Sequence, residues 1–274
     1  MKTIRRIARK EQVIELVGND FEYFDENKRS IDINKLQCLP PSNPKVIVCI
    51  HLNYLSRLKE MQRTQPKAPT YFLKPVSCLN YHKGNVIRPP GCQFLNYEGE
   101  IALVVRKKAE NLTPEIASKY IAGYTIANDF GLHDFRETDQ NSMVRVKGFR
   151  SLGCVGPDIA CDWDYRNKAI KTYVDGNIVQ ESNTNDMIWT PEYLLADLSR
   201  SISFEEGDLI LTGTPANSRP VSPGSIVKVE VEGLGTLENM IVQGKDSVHT
   251  DWGAVPMDTH AIREIALGSD HTNK

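Results

Sequence analysis

The chain has 274 residues, with 33 Lys and Arg against 35 Asp and Glu and a formal net charge of −2, so a phosphate-backbone binder is disfavoured and no nucleic acid partner is expected. No window reaches about 18 uninterrupted apolar residues, and residues 1–11 are basic and polar with no apolar run behind them. A cytoplasmic protein without a membrane partner is expected, with length enough for a large buried core.

In chain order, residues 1–42 alternate apolar and polar positions (Val13, Ile14, Leu16, Val17, then Phe21, Tyr23, Phe24) and run into a turn-rich stretch around Pro40, Pro41 and Pro44. This predicts a small N-terminal β module, with residues 43–274 as the main domain. Residues 45–50 form a buried-strand candidate, and residues 55–65 have helical composition broken at Pro66. From Thr70 onward strand-length segments dominate, at residues 71–74, 98–105, 123–128, 170–174, 209–212 and 226–231. Thr113 and Pro114 open a predicted helix with Ile116, Tyr120 and Ile121 on its inner face, and Pro191 opens another with Leu194, Leu195 and Leu198 sharing a face. The tail, residues 244–274, is polar and expected to fray at its end. The six cysteines, Cys38, Cys49, Cys78, Cys92, Cys154 and Cys161, contain no CxxC pair, which predicts reduced thiols. The fold class expected is mainly β with a few helices.

Chemistry concentrates at Glu98-Gly99-Glu100. A strand period of two puts both carboxylates on one face at the start of an apolar segment, where they need a cation or a shared proton. Alone, such a pair is more often two solvated glutamates. Asp129, closing a second apolar strand, adds a third hard oxygen donor, and this set suits Mg²⁺ or Mn²⁺. Arg145 and Lys147, one residue apart, would share a strand face and meet a substrate carboxylate, with solvated charge as the plainer alternative. Thr212-Gly213-Thr214-Pro215 closes a strand with hydroxyls and free N–H groups, a turn suited to anions. His133 lies near these motifs; His82, His249, His260 and His271 read as surface residues, and His51 as structural.

Together, and in this order, several motifs resemble the fumarylacetoacetate hydrolase family over residues 46–242. They are Leu52-Asn53-Tyr54, Phe72-Leu73-Lys74-Pro75, Tyr97-Glu98-Gly99-Glu100, Asn128-Asp129, Gly207-Asp208 and Thr212-Gly213-Thr214-Pro215, with the stretches 122–125, 174–177, 182–188 and 229–236. The resemblance implies a mixed β-roll, Mg²⁺ or Mn²⁺ on Glu98, Glu100 and Asp129, and a homodimer. Residues 128–136 and 144–147 are most similar to the homoprotocatechuate branch. Its enzymes isomerise 2-hydroxyhepta-2,4-diene-1,7-dioate or decarboxylate 5-oxopent-3-ene-1,2,5-tricarboxylate.

Two departures redirect the expected chemistry. Where many members have a histidine in a His-x-x-Glu pair, this chain has Arg57 and keeps Glu60. A guanidinium stays protonated and cannot activate water. Where many have Arg four residues after the metal Asp, this chain has His133, with Arg136 three residues on. The expectation is therefore isomerisation or decarboxylation of a small oxo-carboxylate through a metal-stabilised enolate. Lys147 would pair with substrate or relay a proton, and Glu60 would accept a proton if burial raises its pKa. Thr214, Arg57, His133, Arg136 and Arg145 are the substrate-binding candidates. The alternatives are acylpyruvate C–C hydrolysis and a catalytically silent oxo-acid binder.

Overall fold

The structure, a computed structural model, describes residues 1–9, 12–25, 27–140 and 142–268. The expected end fraying and His271 fall outside these residues. Mostly β architecture is borne out, in two main mixed sheets. The larger has ten strands, and its main path runs Gln12–Asn19, Lys2–Arg9, Gly153–Ala160, Ile121–Asp129, Gly99–Val105, Leu209–Leu211, Ile47–Ile50 and Tyr71–Lys74. Both faces of its middle strands are covered: every residue of Gly99–Val105 and of Gly153–Ala160 is buried. The five-stranded sheet (Asn177–Asn183, Ala169–Val174, Ile226–Val231, Gly235–Gln243, Val86–Arg88) packs across Gly99–Val105 and Ile121–Asp129. The N-terminal segment joins the larger sheet directly, since Lys2–Arg9 pairs antiparallel with Gly153–Ala160.

The helices are shorter than their composition suggests. Residues 55–65 contribute only Leu55–Glu60. The helix opened by Thr113 covers Pro114–Ala117 and tightens into a 3₁₀ turn, Ser118–Tyr120; of the predicted inner face Tyr120 and Ile121 pack on the core, while Ile116 is exposed and Ala117 is buried in its place. Pro191–Leu198 forms as predicted, capped by Thr190 Oγ1 accepting from Tyr193 N–H, with Leu194, Leu195 and Leu198 buried. Residues 144–148 are helical rather than extended. The polar tail carries a further helix, His260–Leu267, capped by Thr259. All six cysteines are free.

Candidate metal centre and substrate cleft

Strand register builds the acidic cluster. Gly99–Val105 and Ile121–Asp129 run antiparallel with Ala127 opposite Glu100 and Asn128 opposite Gly99, which brings Asp129 opposite Glu98. Opposed residues share a face, so Glu98, Glu100 and Asp129 project together, and the methyl group of Ala127 leaves them room. One carboxylate oxygen from each lies within 4.8 Å of the others. Gly99, between the two glutamates, turns to the opposite face and meets the second sheet: a Cβ there would stand 2.2 Å from Thr172 Oγ1. The sequence Glu-Gly-Glu thus joins two ligands by the residue that lets the sheets close.

Around the carboxylates the partners are unequal. Lys147 Nζ donates to Glu98 Oε2 and to Asp129 O, each at 2.7 Å, and lies 3.0 Å from Asp129 Oδ2. Lys74 Nζ pairs with Asp129 Oδ1 and donates to Phe130 O at 3.0 Å. Burial would raise the Asp129 pKa, but Lys147 and Lys74 outweigh it and hold the carboxyl below its usual range. Glu100, 1% exposed, has no salt bridge to a cation among the described residues and accepts only Gly213 N–H, at 2.7 Å. Burial, then the charges of Asp129 and Glu98, push its pKa well above the usual range. Three hard oxygen donors set against two ammonium groups fit a divalent cation. Lys74 went unassigned in the sequence; its inward place beside Phe72 in the alternating strand Tyr71–Lys74 was the available signal.

Lys147 reaches the cluster from the helix Val144–Gly148. Asp139 starts that helix by accepting Arg145 and Val146 N–H at 2.7 and 2.9 Å, and Gly131 leaves space for the Lys147 stem. A helix, unlike a strand, turns Arg145 away from Lys147. Its half-exposed side chain pairs with Asp139 at 3.3 Å, outside the cleft.

A cleft of about 560 Å³ opens beside the cluster and is lined by Glu98, Lys147, Thr214 and the cations Arg57, Arg63 and Arg136. The predicted Arg57, His133, Arg136, Thr214 and Lys147 therefore meet in one cavity. Arg136 has Met143 Sδ as its hydrogen-bond partner and no carboxylate in salt-bridge range among the described residues, while Arg57 is held by Glu60 at 2.5 Å. His133, 2% exposed, has both ring nitrogens unpartnered. Burial, then Arg136 and Lys147, drive its pKa well down. His51, read as structural, lines the same cleft, where burial and the same two cations lower it to about 4. The Thr214 hydroxyl donates to Gly99 O at 3.0 Å and accepts from Gln180 Nε2 at 3.1 Å, so its proton is already committed. Glu60 does not line the cleft. Burial opposes its ionisation, but Arg57 and Arg219 hold its pKa below the usual value, the reverse of the expected rise. His82 is half-buried, with Nδ1 accepting Glu238 N–H at 3.2 Å, and is not the surface residue expected; His249 and His260 are exposed.

Residues 46–242 match the family described as fumarylacetoacetate (FAA) hydrolase C-terminal. An uncharacterized protein of Methanocaldococcus jannaschii is 35% identical over 229 residues, covering 83% of this chain and 96% of that one. The 4-hydroxyphenylacetate degradation bifunctional isomerase/decarboxylase of Salmonella dublin is 34% identical over 206 residues, 74% of this chain and 48% of the relative, so the chain spans about half of that protein's length. Among solved structures, the 5-carboxymethyl-2-hydroxymuconate delta-isomerase from Mycobacterium smegmatis superposes with a TM-score of 0.80 at 28% identity, over 90% of this chain and 100% of that one. The chain belongs to the fumarylacetoacetate hydrolase family of enzymes.

Proposed function

We propose that the chain is a divalent-metal-dependent isomerase or decarboxylase of a 2-oxo or 2-hydroxy-dienoic di- or tricarboxylate from aromatic catabolism. One observation carries this reading: a cation-ready carboxylate cluster opens onto a cleft whose other charged lining is almost entirely basic. Glu98, Glu100 and Asp129 would hold Mg²⁺ or Mn²⁺, which when bound supplies a Lewis acid for negative charge developing on an oxo-acid. Lys147 is the cation common to cluster and cleft. Its three N–H groups all rest on Glu98 and Asp129 oxygens, so an arriving carboxylate competes with Glu98, the most exposed of the three acids. Arg136, free of a carboxylate partner among the described residues, takes the distal acid group and fixes the chain in the cleft. The imidazoles of His51 and His133 stay neutral at pH 7 and are too acidic to be strong bases for water, which favours charge stabilisation over hydrolysis.

The test is product analysis with Mg²⁺, using 2-hydroxyhepta-2,4-diene-1,7-dioate and 5-oxopent-3-ene-1,2,5-tricarboxylate. A shifted enol absorbance or released CO₂, abolished by chelator and with KM raised at least about tenfold in Arg136→Gln, is the expected result. Cleavage of an acylpyruvate into two acids would replace this reading with hydrolysis. Oxalate binding without turnover of any of these compounds would make the chain a binder.

A further inference from the structure

The C-terminal helix His260–Leu267 lies beyond the family match and walls the cleft. On one side it is tied to the segment carrying His133 and Arg136. Met257 N–H donates to Asp134 O at 2.8 Å, and Thr259 Oγ1 to Glu137 Oε1 at 2.5 Å. Its inner face is anchored by Ile262 and Ala266 on Phe94, and by Asn96 Nδ2 donating to Ala266 O at 2.9 Å. At its far end Gly268 has φ +80°, and a side chain there would come within 2.5 Å of the Arg219 guanidinium, itself paired with Glu60 at 2.7 Å. The helix therefore bridges two flanks of the cleft, and it directs the half-buried Ile265 into the cavity between them.

A second hollow of about 380 Å³ adjoins the cleft. The two share Arg57, Met61, Arg63 and Ile265, so these four side chains stand at the boundary, or partition, where the hollows meet. Only the first cavity contains Glu98, Lys147 and His133, so the partition stands between the reacting end and the second hollow. Arg57 is fixed by Glu60, and Met61 closes the helix Leu55–Glu60. Ile265 is the apolar member supplied from outside the family domain.

We propose that Ile265 is a specificity-determining residue that ends the substrate channel and restricts the enzyme to short oxo-diacids. The inference rests on the oxo-acid reading above and adds its length limit. Ile265→Ala removes three side-chain carbons at the partition and joins the two hollows. Ile265→Phe fills the same place and shortens the channel.

The test is calorimetric titration of the full chain, saturated with Mg²⁺, by oxalate and by a ladder of unbranched 2-oxo diacids from 2-oxoglutarate upward in single methylene steps. Oxalate, which occupies only the metal end, reports whether the reading holds and whether each variant is folded. With oxalate affinity unchanged, Ile265→Ala should move the length at which affinity collapses upward by about two carbons, with at least about tenfold tighter binding of the acids just beyond the wild-type limit. Ile265→Phe should move it downward. Identical length profiles in all three proteins overturn the assignment of Ile265 alone. Absence of Mg²⁺-dependent oxalate binding in the wild type overturns the oxo-acid reading, and this inference with it.

Discussion

Glu100 is the carboxylate least helped by its surroundings, and it separates a metal site from a merely structural acid cluster. Asp129 has two ammonium partners and Glu98 one, whereas Glu100 has a single N–H. Glu100→Gln keeps the shape and removes the carboxyl that is hardest to ionise without a cation. It should weaken Mg²⁺ binding at least about a hundredfold by calorimetry, while the unfolding midpoint in chelator stays level or rises. Asp129→Asn also removes a ligand, but it strands Lys74 beside Lys147, which keeps Glu98. That variant should lose about 3 kcal/mol or more in chelator, because an unpaired buried charge is left behind. If Glu100→Gln proves the more destabilising of the two, the electrostatic picture of the cluster is wrong. The pairing of Glu98 with Glu100 was legible because strand alternation is a local rule, and Asp129 was joined to them by its place at a strand end and by the order of the motifs. Lys74, His51 and the hydroxyl of Thr214 were not, since each acquires its role from partners more than thirty residues away, such as Asp129 for Lys74 and Gly99 for Thr214.

Among elements, the apolar strands were the readable part, whereas the strands Gly153–Ala160, Asn177–Asn183 and Gly235–Gln243 and the short helices were not. Buried strands announce themselves by apolar runs bounded by turn residues, whereas a helix of five residues has no period to show. Val144–Gly148 owes its start to Asp139, whose carboxylate accepts two of its N–H groups, and its Arg-x-Lys spacing suits a strand equally well. The helix His260–Leu267 was overlooked in a polar tail because its buried face is only Ile262 and Ala266. Joints between elements depend on single buried acids, and Asp208 shows how much. Its Oδ1 accepts Lys45 and Val46 N–H at 2.7 and 2.9 Å, and its Oδ2 accepts Glu205 N–H at 2.7 Å. These bonds align the parallel strands Ile47–Ile50 and Leu209–Leu211, which lead into the cleft and into the Thr212–Thr214 turn. Asp208→Ala leaves three N–H groups without this acceptor and should cost about 2–4 kcal/mol in denaturant unfolding. A loss below about 1 kcal/mol would mean that water replaces the carboxylate at this joint.

Across the whole molecule, the sequence suggests a boundary near residue 42, and a buried seam crosses it. Arg5 and Asp158 form a two-pronged pair at 2.6 and 2.5 Å, Tyr23 Oη donates to Asp158 Oδ1 at 2.5 Å, and His82 stands beside them in a cavity shared with Arg5 and Cys38. Burial, then Lys83 and Arg5, lower the His82 pKa from 6.5 to about 4, because an imidazolium here would lose hydration and face two neighbouring cations. Protonation would also end the acceptance of Glu238 N–H by Nδ1. The sign follows from the depressed value. The folded state holds its proton more weakly than the unfolded state, so this stabilisation is complete above about pH 6.5 and is lost as pH falls towards 4. Its size is at most about 3 kcal/mol, less whatever solvent at the half-buried ring relieves. His82→Asn retains an acceptor for Glu238 and cannot titrate. Its melting temperature should match the wild type near pH 7 and fall less between about pH 7 and about pH 4.5, the remaining change belonging to His51, His133 and the shifted carboxyls. If the variant and the wild type lose stability in parallel over that window, acid acts elsewhere and the seam is not the pH-sensitive link between the N-terminal strands and the catalytic sheet.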